Sequence, residues 1–339
     1  MLSRGSWPWD TRDRLSARVS HVICDRYAPS QCSTWLDSVL SGSQRYVAID
    51  FSAYRLEAVR PFYEALAPRL AKFWLYISTD SVYEVCRPSS GTSSREEDSV
   101  RPETASERDR LNRLDSYGHH KLQIEEYLRE QISSSGGVPF VILRLPDVLG
   151  PRDSTGRWWQ YQLWLEHADS LGLRVPVPKR LSSLATSFVY VKDVARLVGL
   201  IVSSELELVK NQVFNVGFSE PKRLQDLLEN MSLALGLDPP PITTDSPEGQ
   251  YFFPSVHRGA MDVGKVRRVL GWNPGQDWTQ IVADTVQFYR EAFWKFPDER
   301  DHIVEELIDD LRSEVSPENM QRFVSVVKQK AAKKPKLEL

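Results

Sequence analysis

The sequence predicts an α/β fold built on a doubly wound parallel sheet, with a smaller C-terminal lobe and appended helices. Three observations predict it. Short apolar runs of strand length alternate with helical segments along most of the 339 residues. A strand ending on hydroxyls, Ile77-Ser78-Thr79, precedes a helix with Tyr117-x-x-x-Lys121, and a further strand follows. The hydrophobic fraction of 41% supplies a substantial core. A net charge of −3 gives no global case for nucleic-acid or membrane binding. No apolar run approaches the length of about 20 residues that spans a bilayer.

The elements follow in order. Residues 1–5 and 19–26 read as strands and their turns, and 46–54 as another strand. Residues 72–77 are apolar and aromatic, which fits a buried parallel strand. Residues 87–116 are polar and read as a loop over the rim of a site. Residues 117–132 read as a helix with Leu122, Ile124, Tyr127 and Leu128 on its apolar positions. Gly136-Gly137 ends the connection to a strand at 139–145. A strand at 187–191 leads into a helix at 193–202. An amphipathic helix at 224–235 stops at Gly236, and Pro239-Pro240-Pro241 marks a loop. Helices follow at 263–270 and 278–293. Residues 294–330 read as one appended helical segment with an apolar stripe of Ile303, Leu307, Leu311 and Val315. The basic tail 328–336, with Lys333-Lys334-Pro335-Lys336, reads as a solvated terminus. The expected division is a core at 1–150, a mixed lobe with returning core elements at 151–293, and a helical extension with its tail at 294–339.

Tyr117 and Lys121 are four apart and share one helix face. A neighbouring ammonium favours the phenolate, so Tyr117 can pass a proton near neutral pH. Thr79, just past a strand, can hold the oxygen that gains or loses that proton. Asp80 reads as an N-cap or loop acceptor. Cys24, Cys32 and Cys86 show no metal spacing, and their odd number predicts reduced, buried thiols.

Six segments carry a family resemblance: residues 77–83, 117–121, 143–152 (Leu-Arg-Leu-Pro-Asp-Val-Leu-Gly-Pro-Arg), 188–195, 213–217, and Leu270-Gly271-Trp272-Asn273-Pro274. Together, in this order, they resemble an extended short-chain dehydrogenase/reductase, the Rossmann-like group of nucleotide-sugar epimerases and dehydratases. The resemblance covers about residues 1–290. It implies that Tyr117 is the general acid/base, that Lys121 holds the nicotinamide ribose, and that Thr79 orients the substrate oxygen. It implies NAD(P) as cofactor, contacted by Asp25 at adenine, by Phe51, Ser52 and Ala53, and by Pro146, Asp147 and Val148 beside the nicotinamide. Arg4, suited to a 2′-phosphate, implies a modest preference for NADP. Asp80, Arg152, Arg157, Trp158 and Arg258 become candidates for the substrate cleft, with a nucleotide sugar or related polyol as substrate. Trp158 with Trp159, Tyr161 and Trp164 reads alternatively as a helix packed on a core. The odd cysteine count without a signal peptide predicts a cytoplasmic protein, and the family's common mode of assembly implies homodimerisation through a helix pair that includes the Tyr/Lys helix.

The departures from the family matter as much. No Gly-x-x-Gly-x-x-Gly or Gly-x-Gly-x-x-Gly stands near the N-terminus to cradle a pyrophosphate. The chain resembles the family only from the end of its second strand. Either this is a truncated product or dinucleotide binding has been abandoned, and poor NAD(P) binding follows in both cases. The dehydratase branch places Thr-Asp-Glu before Val-Tyr, whereas Ser81 stands here in place of Glu. Epimerisation or carbonyl reduction needs only the hydroxyl, Tyr and Lys. Phe253-Pro254 and the run to Pro274 are similar to an atypical branch that associates with RNA. This leaves an RNA-binding or scaffold protein as the alternative, ranked lower because the body is near neutral. A non-catalytic relic of the fold is the third reading.

Overall fold

The computed structural model describes residues 1–28, 32, 34, 35, 37, 41, 46–89, 91–133 and 137–333. The expectations placed on Gly136 and on the tail beyond Lys333 lie outside these residues. The chain divides into two compact units, the first made of Met1–Val148, Ser187–Glu220 and Val256–Pro274, the second of Leu149–Thr186, Pro221–Ser255 and Gly275–Leu339.

In the first unit, Leu2–Ser3 (β1) and Val22–Ile23 (β2) pair in parallel as a separate two-stranded sheet. Tyr46–Asp50 (β3), Leu70–Thr79 (β4), Phe140–Leu145 (β5) and Gln212–Asn215 (β6) form the main sheet in the order β6-β5-β4-β3. Every pairing in it is parallel, with Asp50 opposite Tyr76 and Thr79 opposite Leu145. The C-terminal strand ends therefore lie side by side, which is where open α/β sheets gather their chemistry.

The alternation of β4 explains its two covered faces. Phe73, Leu75 and Ile77 point into one cluster with Val141, Leu143, Phe214 and the Val191–Ser203 helix, through Val194, Leu197 and Ile201. Trp74 and Tyr76 point the other way, to Phe62, Tyr63, Ile142 and the Tyr/Lys helix, through Ile124, Tyr127 and Leu128. Side chains alternate with a period of two. Only a strand buried on both faces can be apolar throughout.

Two expectations for this unit are corrected. Residues 87–116 are not only loop: Ala105–Leu114 is a helix (α1), capped by Thr104, whose side chain accepts from the Glu107 amide. The Thr-x-x-Glu signal was in the sequence. Leu111 is the helix's sole buried residue, so no apolar periodicity announced it. The Tyr/Lys helix (α2) runs Ser116–Ser133, immediately after it. The thiols are not all reduced, since Cys24 and Cys32 form a disulfide with Cα atoms 5.4 Å apart. A spacing of eight residues does not announce that proximity. Cys86 is free and buried, and burial pushes its thiol up to about 12.

In the second unit, Val175–Pro178 pairs in parallel with Ile242–Ser246, and Ala185–Thr186 pairs antiparallel with Lys222–Arg223. The Arg157–Leu171 helix buries Trp158, Trp159, Tyr161 and Trp164 to 1% exposure or less. Ile303, Leu307, Leu311 and Val315 are all buried, as the stripe predicts. Their segment is two helices rather than one, Pro297–Leu311 and Pro317–Ala332. The break comes where Ser316 caps the Asn319 amide and Pro317 takes the first helical position. No helix among the described residues is long and apolar enough to cross a membrane.

Candidate active site

Three consecutive residues of β4 meet three successive turns of α2. The Ile77 carbonyl accepts from Lys121 Nζ at 2.7 Å. Ser78 Oγ donates to Glu125 Oε1 at 2.6 Å. Thr79 stands near enough to the Tyr117 hydroxyl to favour its ionised form. Tyr117, Lys121 and Glu125 are spaced by four, so one stripe of the helix presents all three. Gly118 permits the approach. A Cβ there would overlap the Ser81 carbonyl and lie 2.8 Å from Asp115 Oδ2. Asp115 also accepts from the Gly118 amide at 2.7 Å, which fixes the start of the helix.

Thr79 also shapes the turn beyond the strand. Its Oγ1 accepts from the Ser81 amide at 3.2 Å and lies 3.2 Å from Asp80 Oδ1. Asp80 is 4% exposed, and its Oδ2 has no partner. Burial first, then the Asp147 carboxyl, pushes the Asp80 acid well above the usual carboxylate range. A buried carboxyl that holds its proton more tightly than usual therefore stands beside Thr79.

Lys121 is held by two carbonyls, that of Ile77 and that of Ala53 at 3.1 Å. Burial pushes it down to about 8, against Asp50 and Glu125, which favour its charge. The ammonium does not bring the Tyr117 phenol down as its spacing predicts. Burial, then Tyr54, push that phenol up, while Thr79 opposes them. The geometry gives the reason: Nζ lies 5.9 Å from the Tyr117 ring centre but 4.6 Å from that of Tyr76, and its protons point to carbonyls.

Two residues behind Ala53 were not singled out in the sequence. Asp50 Oδ1 accepts from the amides of Ser52 and Ala53 at 3.3 and 3.1 Å, closing the turn that presents the Ala53 carbonyl. Arg26 grips Asp50 with two bonds of 2.6 and 2.7 Å. Two others, Glu125 and Arg144, were equally missed. Arg144 is the single charge in an otherwise apolar strand, and Glu125 extends the Tyr/Lys spacing by one turn; both were available signals.

The remaining candidates fall as follows. Phe51 is exposed, and Tyr54 is exposed beside Tyr117, their ring centres 5.7 Å apart. Pro146, Asp147 and Val148 directly follow β5, with Asp147 buried. Asp25 accepts from the Tyr27 amide, and Arg4 is exposed beyond β1. Arg258 Nη2 donates to the Glu84 carbonyl, while the His257 and Arg258 amides donate to the Glu84 carboxylate at 2.8 Å each. In the second unit, Arg152 stacks over Phe288 and Arg157 over Phe253, at 5.1 and 4.5 Å. Trp158 is 1% exposed and donates to Gln162. Thr79, Asp80, Tyr117, Lys121 and Ala53 are thus brought together at the strand ends of the first unit. Arg152, Arg157 and Trp158 have packing partners within the second.

The model of the NAD dependent epimerase/dehydratase family matches residues 48–217, from β3 to just past β6. No curated protein matches the chain in sequence. Among solved structures, the UDP-glucose 4-epimerase of Thermotoga maritima with UDP-glucose is similar, with a TM-score of 0.60 and 16% identity over 83% of this chain and 87% of that one. The dTDP-glucose 4,6-dehydratase of Streptomyces venezuelae, with NAD bound, gives 0.60 and 18% over 85% of each chain. The UDP-glucuronic acid 4-epimerase of Bacillus cereus gives 0.59 and 17% over 83% and 85%. At such identities the likeness is one of fold.

Proposed function

The chain belongs to the NAD dependent epimerase/dehydratase family, and we propose that it acts as an NAD(P)-dependent epimerase- or reductase-like oxidoreductase on a nucleotide-linked sugar or related phosphorylated polyol. The observation that carries this reading is the meeting of Thr79, Tyr117 and Lys121 at the strand ends. A substrate hydroxyl or carbonyl oxygen takes its place between Thr79 Oγ1 and the Tyr117 hydroxyl. The Tyr117 hydroxyl gives its proton to that oxygen when a carbonyl is reduced, and in the reverse direction takes one up only after it has itself ionised. Asp80, with an unpartnered Oδ2, can hydrogen-bond a neighbouring substrate hydroxyl. Ser81 in the place of a second carboxyl argues against elimination of water.

The cofactor fits at one end. An ammonium has three donors, and two of those of Lys121 are used on Ala53 and Ile77, leaving one for a ribose hydroxyl. Phe51, Ser52, Ala53, Pro146, Asp147 and Val148 would surround the nicotinamide half, with Asp25 and Arg4 toward adenine. When bound, NAD(P) supplies the hydride acceptor and donor at its nicotinamide carbon. The pyrophosphate end lacks its cradle: the described residues contain no glycine-rich turn between a strand and a helix near the N-terminus.

Calorimetry with NADH and NADPH should accordingly give a dissociation constant far weaker than micromolar for the 339-residue chain. A value near 1 μM, about −8.2 kcal/mol, would overturn this. Equal affinities for the two cofactors would reject the role given to Arg4. The substrate class is tested by thermal shift with a panel of UDP- and dTDP-sugars, in which at least one should raise the melting temperature. If none does, the nucleotide-sugar reading is wrong.

A further inference from the structure

We propose that Glu125 is a positioning residue, which pins the Tyr117–Lys121 face of α2 to the end of β4 and sets its carboxylate as counter-ion to Lys121. The proposal rests on the reading above only in treating Tyr117 and Lys121 as the reacting groups. Glu125 is wholly buried and accepts four hydrogen bonds. Oε1 takes Ser78 Oγ at 2.6 Å and Arg144 Nε at 3.0 Å. Oε2 takes Arg144 Nη2 at 2.6 Å and Arg129 Nη2 at 3.0 Å. These fill the acceptor sites of a carboxylate, so the group cannot turn without losing bonds.

Arg144 carries the anchorage outward. It is also wholly buried, and donates to the Tyr83 hydroxyl at 2.7 Å, the Glu96 carbonyl at 3.0 Å and Ser99 Oγ at 2.7 Å. Tyr83 in turn donates to Asn215 at 2.7 Å. The clamp thus spans β4, β5, β6, the turn after Thr79 and the 94–99 segment. Ser78 lies between the residue that holds Lys121 and the residue that meets Tyr117. Slippage of α2 along β4 would break the Ser78–Glu125 bond and disturb both of the neighbouring contacts.

The charged and titratable groups facing Lys121 are Asp50 at the end of β3, Glu125 on its own helix, Arg26 after β2, and the rings of Tyr54, Tyr76 and Tyr117. Asp50 and Glu125 favour its charge and Arg26 opposes it. Removing one of the two anions should weaken the ammonium's hold on its proton.

The test is Glu125→Gln in the full chain, with the titration of Lys121 followed through the ε-carbon shifts of 13C-labelled lysines. Lys121→Arg assigns the signal. In a folded Glu125→Gln protein the Lys121 midpoint should fall by about one pH unit or more. In Ser78→Ala, which keeps the carboxylate ionised against Arg144, it should stay in place. If Glu125→Gln does not fold, Glu125→Asp withdraws the same charge by one methylene, and a smaller fall is expected. An unchanged midpoint in either Glu125 variant overturns the proposal, as does an equal fall in Ser78→Ala. The titration needs no substrate, so failure of the nucleotide-sugar reading would leave its result standing.

Discussion

Tyr117→Phe is expected to lower turnover about a hundredfold or more while leaving the protein folded. The substitution removes one phenolic oxygen and keeps the ring. The ring is 41% exposed, so little packing is at stake. The helix remains fastened through Lys121 and Glu125. The measurement is kcat on the nucleotide sugar that stabilises the wild type, with NAD(P) at a concentration that saturates the wild type, beside a melting curve. Unchanged turnover in a protein with a wild-type melting curve would reject the assignment. The dependence on pH has a definite sign. Lys121 titrates at about 8 and is charged below that value, so activity that needs the ammonium falls as pH rises through it.

Arg144→Met is expected to destabilise the fold by about 3–5 kcal/mol, read from denaturant unfolding at neutral pH. The arginine and its partner Glu125 are both 0% exposed, and removing the cation leaves a buried carboxylate with only Arg129 and Ser78 beside it. Burial alone would raise the Glu125 acid, but in the wild type the Arg144 charge and hydrogen bond override it and hold it below its ordinary value. A depressed carboxylate stabilises above its unfolded pKa of about 4.3, and that contribution is lost as pH falls through the folded value. In Arg144→Met the order reverses: the acid is raised, and the variant's deficit should shrink toward acid pH. A loss below about 1 kcal/mol, or a deficit that grows on acidification, would show that the pair does not hold the site. Glu125→Leu in the same background removes the orphaned charge and should recover part of the loss.

What was legible in the sequence follows from the range of the forces involved. β4 and β5 were readable because burial on both faces leaves an uninterrupted apolar run. The Leu224–Leu235 helix was readable to the residue because Gly236 takes a left-handed backbone there. Tyr117, Lys121 and Thr79 were readable as a pattern of spacing and order. The polar α1 was not, because one buried leucine leaves no stripe. The Cys24–Cys32 bond and the Arg26–Asp50 pair join residues that no local signal links. The raised Tyr117 phenol was also out of reach. Spacing told which charge stands near, but only the fold tells where its protons point.

Gly118 extends this from chemistry to heredity. Every amino acid reachable from a glycine codon by one nucleotide change carries a Cβ. At this position the first such carbon collides with the Ser81 backbone, which no side-chain rotation can relieve. Each point mutation that replaces this glycine must therefore push α2 away from the turn that follows Thr79, whatever the polarity of the newcomer. Among replacements of the residue none is conservative: a distance between two stretches of backbone, rather than any reactive group, decides what this position can carry.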